Sequence, residues 1–173
     1  GRTQIGNNKR ALVEFVSANP TGPLTVGHGR GAMLGDTVSN ILEWNGYDVQ
    51  REYYFNNAGR QMRVLGQSVH TRYLELLGEM SELPEGGYEG KYIYDIAQKV
   101  IDIHTDSLKE NSEEPIFKNT AESHIFEDIK STLSRLGLVF DTFYNEKTLY
   151  ENGEIATVVE TLREKKLVYD KEG

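Results

Sequence analysis

The feature that most constrains the fold is a short apolar run, residues 11–17, which leads into a loop and then a glycine-rich stretch. The run is Ala-Leu-Val-Glu-Phe-Val-Ser between polar neighbours, which is typical of a parallel strand buried on both faces. After the loop Asn-Pro-Thr-Gly-Pro at 19–23, apolar residues recur at helical spacing until Asn-Gly at 45–46. We therefore expect a central parallel strand, a loop and a helix. The apolar residues that predict this helix are Leu34, Val38, Ile41 and Leu42.

Downstream segments predict a second strand and a largely helical remainder. Residues 47–55 are aromatic and partly alternating, so strand, helix and strand fall within about 45 residues, as in a right-handed βαβ unit. We expect Asn56-Asn57 to cap a long helix that ends at Gly78 and lays an apolar stripe on the sheet. The stripe comprises Met62, Leu65, Val69, Tyr73 and Leu76. The aromatic residues predicted to enter the core are Tyr53, Tyr54 and Phe55.

The remaining patterns complete an α/β prediction. They favour helices at about 92–109, 117–136 and 153–166, and strands at 138–144 and 167–169. The last strand enters an Asp-Lys-Glu-Gly turn, so its hairpin partner is expected beyond residue 173. We expect the first half of a Rossmann-type nucleotide-binding fold followed by a mainly helical connective insertion. The predicted division is a leader at 1–8, the half-core at 9–78, and the insertion plus a further core strand at 79–173. A half-sheet exposes an edge, so such a piece is expected to dimerise or to be marginally stable.

Composition narrows the classes of function. The chain has no cysteine and no apolar run of about 20 residues, so we expect no disulfide framework, no membrane segment and a cytoplasmic protein. Its four histidines lie far apart, which predicts no metal site. Up to Tyr73 the chain carries 8 Lys/Arg and 5 Asp/Glu, whereas beyond it the numbers are 11 and 22. If the chain binds a polyanion at all, we expect it to do so through the residues up to Tyr73, and the acidic remainder argues against wrapping by a nucleic acid.

The glycine-rich stretch indicates an anion site. Residues 17–31 join a buried strand to a helix N-terminus through glycines, which allow backbone N–H groups to approach a ligand closely. Gly27, Gly29 and Ala32 satisfy the dinucleotide fingerprint G-x-G-x-x-A, with an acidic residue roughly 20 positions on. However, about nine residues separate the strand from Gly27, whereas a dinucleotide fold uses a tight turn. Half of a dinucleotide-binding oxidoreductase domain and a non-catalytic binding module therefore remain as alternatives.

His28 lies between two of these glycines. An imidazole there puts a proton donor where phosphates would lie, which suits a reaction on ATP. The alternative is that His28 only caps the helix.

The same residues carry a family resemblance. Residues 13–24 and 26–31 resemble the signature of bacterial-type arginyl-tRNA synthetases, and the class I His-x-Gly-His motif falls on Thr25, Val26, Gly27 and His28. Further segments similar to this family lie at 51–59, 72–78, 87–90 and 140–141, so the resemblance covers nearly the whole chain.

The resemblance implies ATP-dependent activation of L-arginine to arginyl-adenylate and transfer to tRNA(Arg), with Mg²⁺ accompanying ATP. No covalent enzyme intermediate is implied, and the work is positioning and charge stabilisation. The full-length enzyme is expected to be a monomer, and few tRNA contacts are expected from these residues.

The resemblance also assigns site residues. The implied catalytic residues are Thr25 and His28. The implied arginine contacts are Glu14, Ser17, Ala18, Asn19 and His28. The implied ATP contacts are Asn19, Pro20, Thr25, Gly27, His28 and Gly29. Glu14 interrupts an apolar strand, and a buried carboxylate needs a partner such as a guanidinium; the alternative is an ion pair with Lys9 or Arg10.

Two departures from the family pattern bear on activity. Thr25 replaces the first motif histidine, and the chain contains no Lys-Met-Ser-Lys-like loop, N-terminal domain or anticodon-binding domain. We therefore expect this chain to be an incomplete enzyme that is inactive by itself.

Overall fold

The computed structural model describes residues 1–112 and 115–171 as an α/β structure with a parallel sheet. The strands are β1 (Arg10–Glu14), β2 (Asp48–Phe55) and β3 (Thr142–Asn145). The helices are α1 (Val26–Trp44), α2 (Gly59–Leu76), α3 (Lys91–His104), α4 (Pro115–Arg135), α5 (Lys147–Glu151) and α6 (Glu154–Glu164). The sheet order is β1-β2-β3, and both pairings are parallel, which confirms the predicted fold class and βαβ unit.

The first strand is shorter and more exposed than the sequence predicts. Among the described residues, β1 pairs only with β2, so it lies at an edge instead of the centre of the sheet. Leu12 is 58% exposed because the face of β1 that carries it is uncovered. The strand ends at Glu14, since Val16 (φ 67°) and Ser17 (φ 47°) take left-handed backbone conformations that stop the ladder.

Helix α1 packs through its small residues. It begins at Val26 and ends with Asn45 as C-cap and Gly46 at φ 84°, as the Asn-Gly pair predicts. A Cβ added to Gly35 would overlap the Phe15 ring, so helix and loop are in close contact there. The buried residues of α1 are Ala32, Gly35 and Ser39. The apolar residues Leu34, Val38 and Ile41, which predicted the helix, are exposed, Leu34 by 66%.

A single apolar cluster joins β2 to the helices that follow it. Tyr53 and Phe55 are buried, as predicted, whereas Tyr54 is only partly buried. Helix α2 contributes Met62, Leu65, Val69 and Tyr73 to the same cluster, which confirms most of its predicted stripe; Leu76 is exposed. Helices α3 and α4 pack on α2 and complete the cluster. The division at residue 78 stays a prediction.

Several predicted boundaries are wrong. The N-cap of α2 is Ala58; Asn56 instead accepts a hydrogen bond from the Ala58 amide through Oδ1, at 2.8 Å. The helix predicted at 153–166 is confirmed as α6, but a separate short helix that the sequence did not predict, α5, precedes it and ends before Gly153 at φ 73°. Residues 167–171 form no strand, because a β-branched and aromatic run needs a neighbouring strand and none pairs with it among the described residues. No helix within 1–112 or 115–171 is long and apolar enough to cross a membrane.

Candidate active site

The candidate site lies in the loop that connects β1 to α1. Ligands of open parallel sheets bind beyond the carboxyl ends of the strands, and this loop leaves the sheet at that edge. It borders a cavity of about 520 Å³. The residues assigned by resemblance that line this cavity are Ser17, Ala18, Asn19, Thr25 and His28. Glu14, Pro20, Gly27 and Gly29 are not part of its lining. Pro20 is a buried residue of the loop, and the two glycines lie in the first turn of α1.

Side chains of the loop replace the backbone ladder beyond β1. The last backbone bond runs from the Phe15 amide to the Glu52 carbonyl, at 3.1 Å. From there the amide of Tyr54 donates to Ser17 Oγ at 3.1 Å, and the amide of Asn56 donates to Asn19 Oδ1 at 2.9 Å. The β2 amides are thus satisfied while the loop backbone turns away from the strand. Ser17 and Asn19 are therefore held in place by backbone amides at the end of β2.

The side-chain hydroxyl of Tyr53 holds the backbone of Ala18 against the core. Tyr53 Oη donates to the Ala18 carbonyl at 2.8 Å and accepts from the Ala18 amide at 3.1 Å. Burial raises the pKa of Tyr53 to about 12, so the hydroxyl is a neutral donor at physiological pH.

Glu14 is exposed, which corrects the premise that it is a buried carboxylate. The reason is that β1 is an edge strand whose outer face is open. Its register partner on β2 is Glu52, so two carboxylates stand opposite each other on this face. Glu14 accepts a hydrogen bond from Ser17 Oγ, and within the described residues it forms no ion pair, with Lys9, Arg10 or any other cation. A carboxylate at the end of the strand thus remains open to an external cation.

Thr25 and His28 form a reciprocal cap at the start of α1. The Thr25 amide donates to His28 Nδ1 at 3.0 Å, and the His28 amide donates to Thr25 Oγ1 at 3.5 Å. Because Nδ1 accepts a backbone N–H, the proton of the neutral imidazole lies on Nε2. His28 therefore caps the helix and still presents one N–H donor away from it. No acidic residue occupies the first turn of α1, so no local carboxylate opposes an anion there.

The sequence alone did not identify three residues that lie near this loop. Tyr92, in α3, donates from its hydroxyl to the Thr21 carbonyl at 2.8 Å. Gln61 accepts from the Asn19 side-chain amide at 3.1 Å, and Tyr88 lines the same cavity. Gln61 is 42 residues from its loop partner and Tyr92 is 71 residues from its own, so no short-range pattern could have indicated these contacts.

No group of three or more His, Cys, Asp or Glu within 1–112 and 115–171 has the arrangement of a metal site. Elsewhere in the fold, Arg51 of β2 joins the sheet to α1. Its guanidinium donates to the Glu43 carboxylate at 2.6 Å and to the Asn40 side-chain oxygen at 2.9 Å. The hydrogen bond between Arg51 and Glu43 lowers the pKa of Glu43 and raises the pKa of Arg51.

The parallel sheet and its capped helix after β1 place the chain among α/β proteins with the βαβ arrangement that nucleotide-binding folds also use. Among solved structures, one described as an arginyl tRNA synthetase from Campylobacter jejuni is similar, with a TM-score of 0.84 and 34% identity; the match covers 95% of this chain and 36% of that one. The Thermus thermophilus arginyl-tRNA synthetase resembles the chain in fold, with a TM-score of 0.57 at 23% identity, over 90% of this chain and 26% of its own.

Sequence similarity identifies the family. The family described as tRNA synthetases class I (R), catalytic domain, matches residues 1–173. A protein named arginine–tRNA ligase from Desulfotalea psychrophila is 56% identical over 172 residues, which are 99% of this chain and 31% of that protein. Its counterpart from Chlorobium phaeobacteroides is 51% identical over 170 residues, 95% of this chain and 31% of its own length. The chain thus spans about a third of the length of these relatives. It belongs to the family of class I arginyl-tRNA synthetase catalytic domains.

Proposed function

We propose that the intact protein carrying this chain is an arginine–tRNA ligase and that the chain supplies one part of its ATP and arginine site. The observation that carries the proposal is the family match over residues 1–173, together with relatives of that name at 51–56% identity. The oxidoreductase and the non-catalytic binding module are not favoured, because neither accounts for this match. The 173 residues are proposed to be inactive by themselves.

In the proposed first step, the carboxylate of L-arginine attacks the α-phosphorus of MgATP. A carboxyl–phosphate bond forms, the bond to the β-phosphate oxygen breaks, and pyrophosphate leaves. In the second step, a terminal ribose hydroxyl of tRNA(Arg) attacks the arginyl carbonyl, and AMP leaves. Both steps need positioned reactants and donors for phosphate charge, and neither needs a nucleophilic side chain.

The proposed ATP contacts lie where the loop meets α1. His28 would donate from Nε2 toward the phosphates, because its Nδ1 is occupied by the Thr25 amide. The backbone amide of Gly27 lies in the first turn, where the helix dipole favours an anion. The Gly29 amide donates to the Thr25 carbonyl at 3.0 Å, so Gly29 would contribute by its lack of a side chain, which leaves room for a phosphate. Thr25 would offer its hydroxyl as a shorter, uncharged replacement for a histidine. The further proposed ATP contacts are Asn19 and Pro20.

The proposed arginine contacts lie at the end of β1. A guanidinium offers paired N–H donors that match a carboxylate, and Glu14 is a carboxylate without a protein cation among the described residues. Ser17, Ala18, Asn19 and His28 complete the proposed set, and the first three are fixed by β2. The proposed protein is a cytoplasmic monomer with few tRNA contacts from this region.

Arginine-dependent exchange of labelled pyrophosphate into ATP tests this function in the intact protein. The assay contains tRNA(Arg), so that the intact protein has all of its proposed substrates. We expect exchange with arginine and none with lysine at equal concentration. His28→Ala should abolish most of the exchange. Equal exchange with both amino acids, or none with either in the folded protein, would refute the proposed function.

A further inference from the structure

Tyr53 stands out among the buried polar groups because its hydroxyl satisfies both backbone groups of a single loop residue. Tyr53 Oη donates to the Ala18 carbonyl and accepts from the Ala18 amide, at 2.8 and 3.1 Å. Ala18 is buried, so both of its backbone groups would lose the hydrogen-bond partner that they have in the fold if the hydroxyl were absent. The loop around Ala18 therefore depends on this one side chain.

Three aromatic rings fix the position of the Tyr53 hydroxyl. Tyr53 is fully buried, and its ring centroid lies 5.2 Å from Phe143, 5.6 Å from Phe140 and 6.1 Å from Phe126. Rings at these distances interlock and leave little freedom for rotation. The hydroxyl is thus a rigid anchor that extends from the core to the loop.

The loop needs an anchor because its backbone is not relaxed. Val16 and Ser17 both have positive φ, and a β-branched residue such as Val16 rarely adopts this conformation. Such a backbone persists only where neighbouring contacts hold it. Ser17 and Asn19 are held through their side chains, whereas Ala18, which lies between them, has no polar side chain and is held through its backbone by Tyr53.

We propose that Tyr53 is a positioning residue for the amino acid subsite: its hydroxyl sets the Ser17–Ala18–Asn19 backbone in the conformation that receives arginine. This inference rests on the proposed function. The phosphate end of the ATP site does not contact Tyr53, because the Thr25–His28 cap holds the start of α1 separately. Asn19 is a proposed contact of both substrates, but its side chain is also held by Asn56 and Gln61. Loss of the hydroxyl should therefore affect arginine and ATP unequally.

The chain contains a matched control for this effect. Tyr73 is also fully buried, and its hydroxyl also joins a carbonyl to an amide, donating to Thr105 at 2.8 Å and accepting from Leu108 at 3.2 Å. Tyr73→Phe removes the same atom from a similar environment at a different place in the fold. A merely structural role predicts that the two variants behave alike.

The experiment measures the KM for arginine and the KM for ATP in pyrophosphate exchange by the intact protein, for the parent, Tyr53→Phe and Tyr73→Phe. We expect Tyr53→Phe to raise the arginine KM by about tenfold or more and to change the ATP KM by less than about threefold, since a displaced loop misplaces a bound substrate. Tyr73→Phe should leave both constants near those of the parent. KM does not depend on the folded fraction, so partial loss of stability does not affect the comparison.

An arginine KM for Tyr53→Phe equal to that of Tyr73→Phe would overturn the inference, as would an equal rise in both KM values. If Tyr53→Phe yields no soluble protein, Phe140→Leu decides, because it keeps the hydroxyl and loosens the ring that supports it. A selective rise in the arginine KM then supports the inference, and unchanged constants overturn it. A parent that shows no arginine-dependent exchange would instead refute the proposed function.

Discussion

Replacing Thr25 separates two roles of one hydroxyl. Thr25 caps α1, but its Oγ1 lies 3.5 Å from the His28 amide, the long limit for a hydrogen bond. The loss of an N-cap side chain costs about 0.5–2 kcal/mol, and the long contact puts Thr25→Ala at the low end of that range. The 3.0 Å bond from the Thr25 amide to His28 remains, because it uses only the backbone of residue 25. The effect on stability should thus be about 0.5–1 kcal/mol.

The effect on catalysis should be larger if the hydroxyl contacts phosphate. Removing a donor aimed at developing charge costs about 2.7–4 kcal/mol, or roughly 10²- to 10³-fold in rate. We therefore expect Thr25→Ala to slow arginine-dependent pyrophosphate exchange by that factor, with little change in the KM for ATP. Thr25→Ser keeps the hydroxyl and should retain most of the rate, and Thr25→His should match or exceed the parent.

Pyrophosphate exchange rates and thermal unfolding, measured for the three variants and the parent, together decide whether the Thr25 hydroxyl caps the helix, contacts phosphate, or does both. If Thr25→Ala exchanges as fast as the parent and loses only the small amount of stability expected for a cap, the hydroxyl serves the helix alone. Charge stabilisation would then be assigned to His28 and to groups outside this chain.

Three further predictions follow from the geometry. Glu14→Gln should weaken arginine activation by about one to two decades, since a hydrogen bond to a charged group contributes roughly 1.5–3 kcal/mol, while the KM for ATP stays constant; equal changes for both substrates would contradict this. Gly35→Ala should lower the free energy of unfolding by about 1–3 kcal/mol in urea, because its Cβ would meet the Phe15 ring. The control Gly31→Ala, which has open space around it on the same helix, should be neutral or stabilising. Because the pKa of Tyr53 is raised to about 12 in the folded protein, the contribution of Tyr53 to the free energy of unfolding is complete below pH 10. It falls as the pH rises toward 12, by up to about 1.4 kcal/mol per pH unit. If the free energy of unfolding of Tyr53→Phe falls with pH as steeply as that of the parent in this range, the prediction is refuted.

The sequence predicted those parts of the fold that depend on neighbours along the chain. Helix α1 and its end at Asn45-Gly46 follow from periodicity and from a glycine at positive φ. The apolar stripe of α2 is also predicted from helical periodicity. The predicted central position of β1 is wrong, because the apolar content of a strand indicates that the strand can be buried but does not indicate how many strands flank it. The exposure of Leu34 has the same origin, since burial depends on what packs over a helix.

In the candidate site, too, the sequence identified the residues that are close along the chain but not the contacts between residues that are far apart in the sequence. The residues of the loop were found by their resemblance to a family, and the Thr25–His28 contact spans only three residues. The capping pattern with Ser or Thr followed by Glu or Gln would not have identified it, because histidine takes the third position here. Tyr53 was predicted as core but not as the partner of Ala18, because a tyrosine in a strand does not reveal what its hydroxyl contacts 35 residues away.

The ring of hydrogen bonds that begins α1 also determines which substitution at position 28 can report on chemistry. Alanine there removes the imidazole and the acceptor for the Thr25 amide together, so reduced activity could come from a frayed helix. Glutamine at the third helical position can reach back to the N-cap amide, as it does in ordinary capping boxes. His28→Gln should therefore keep the helix start intact and remove only the imidazole, which makes it the appropriate variant for separating helix formation from phosphate recognition.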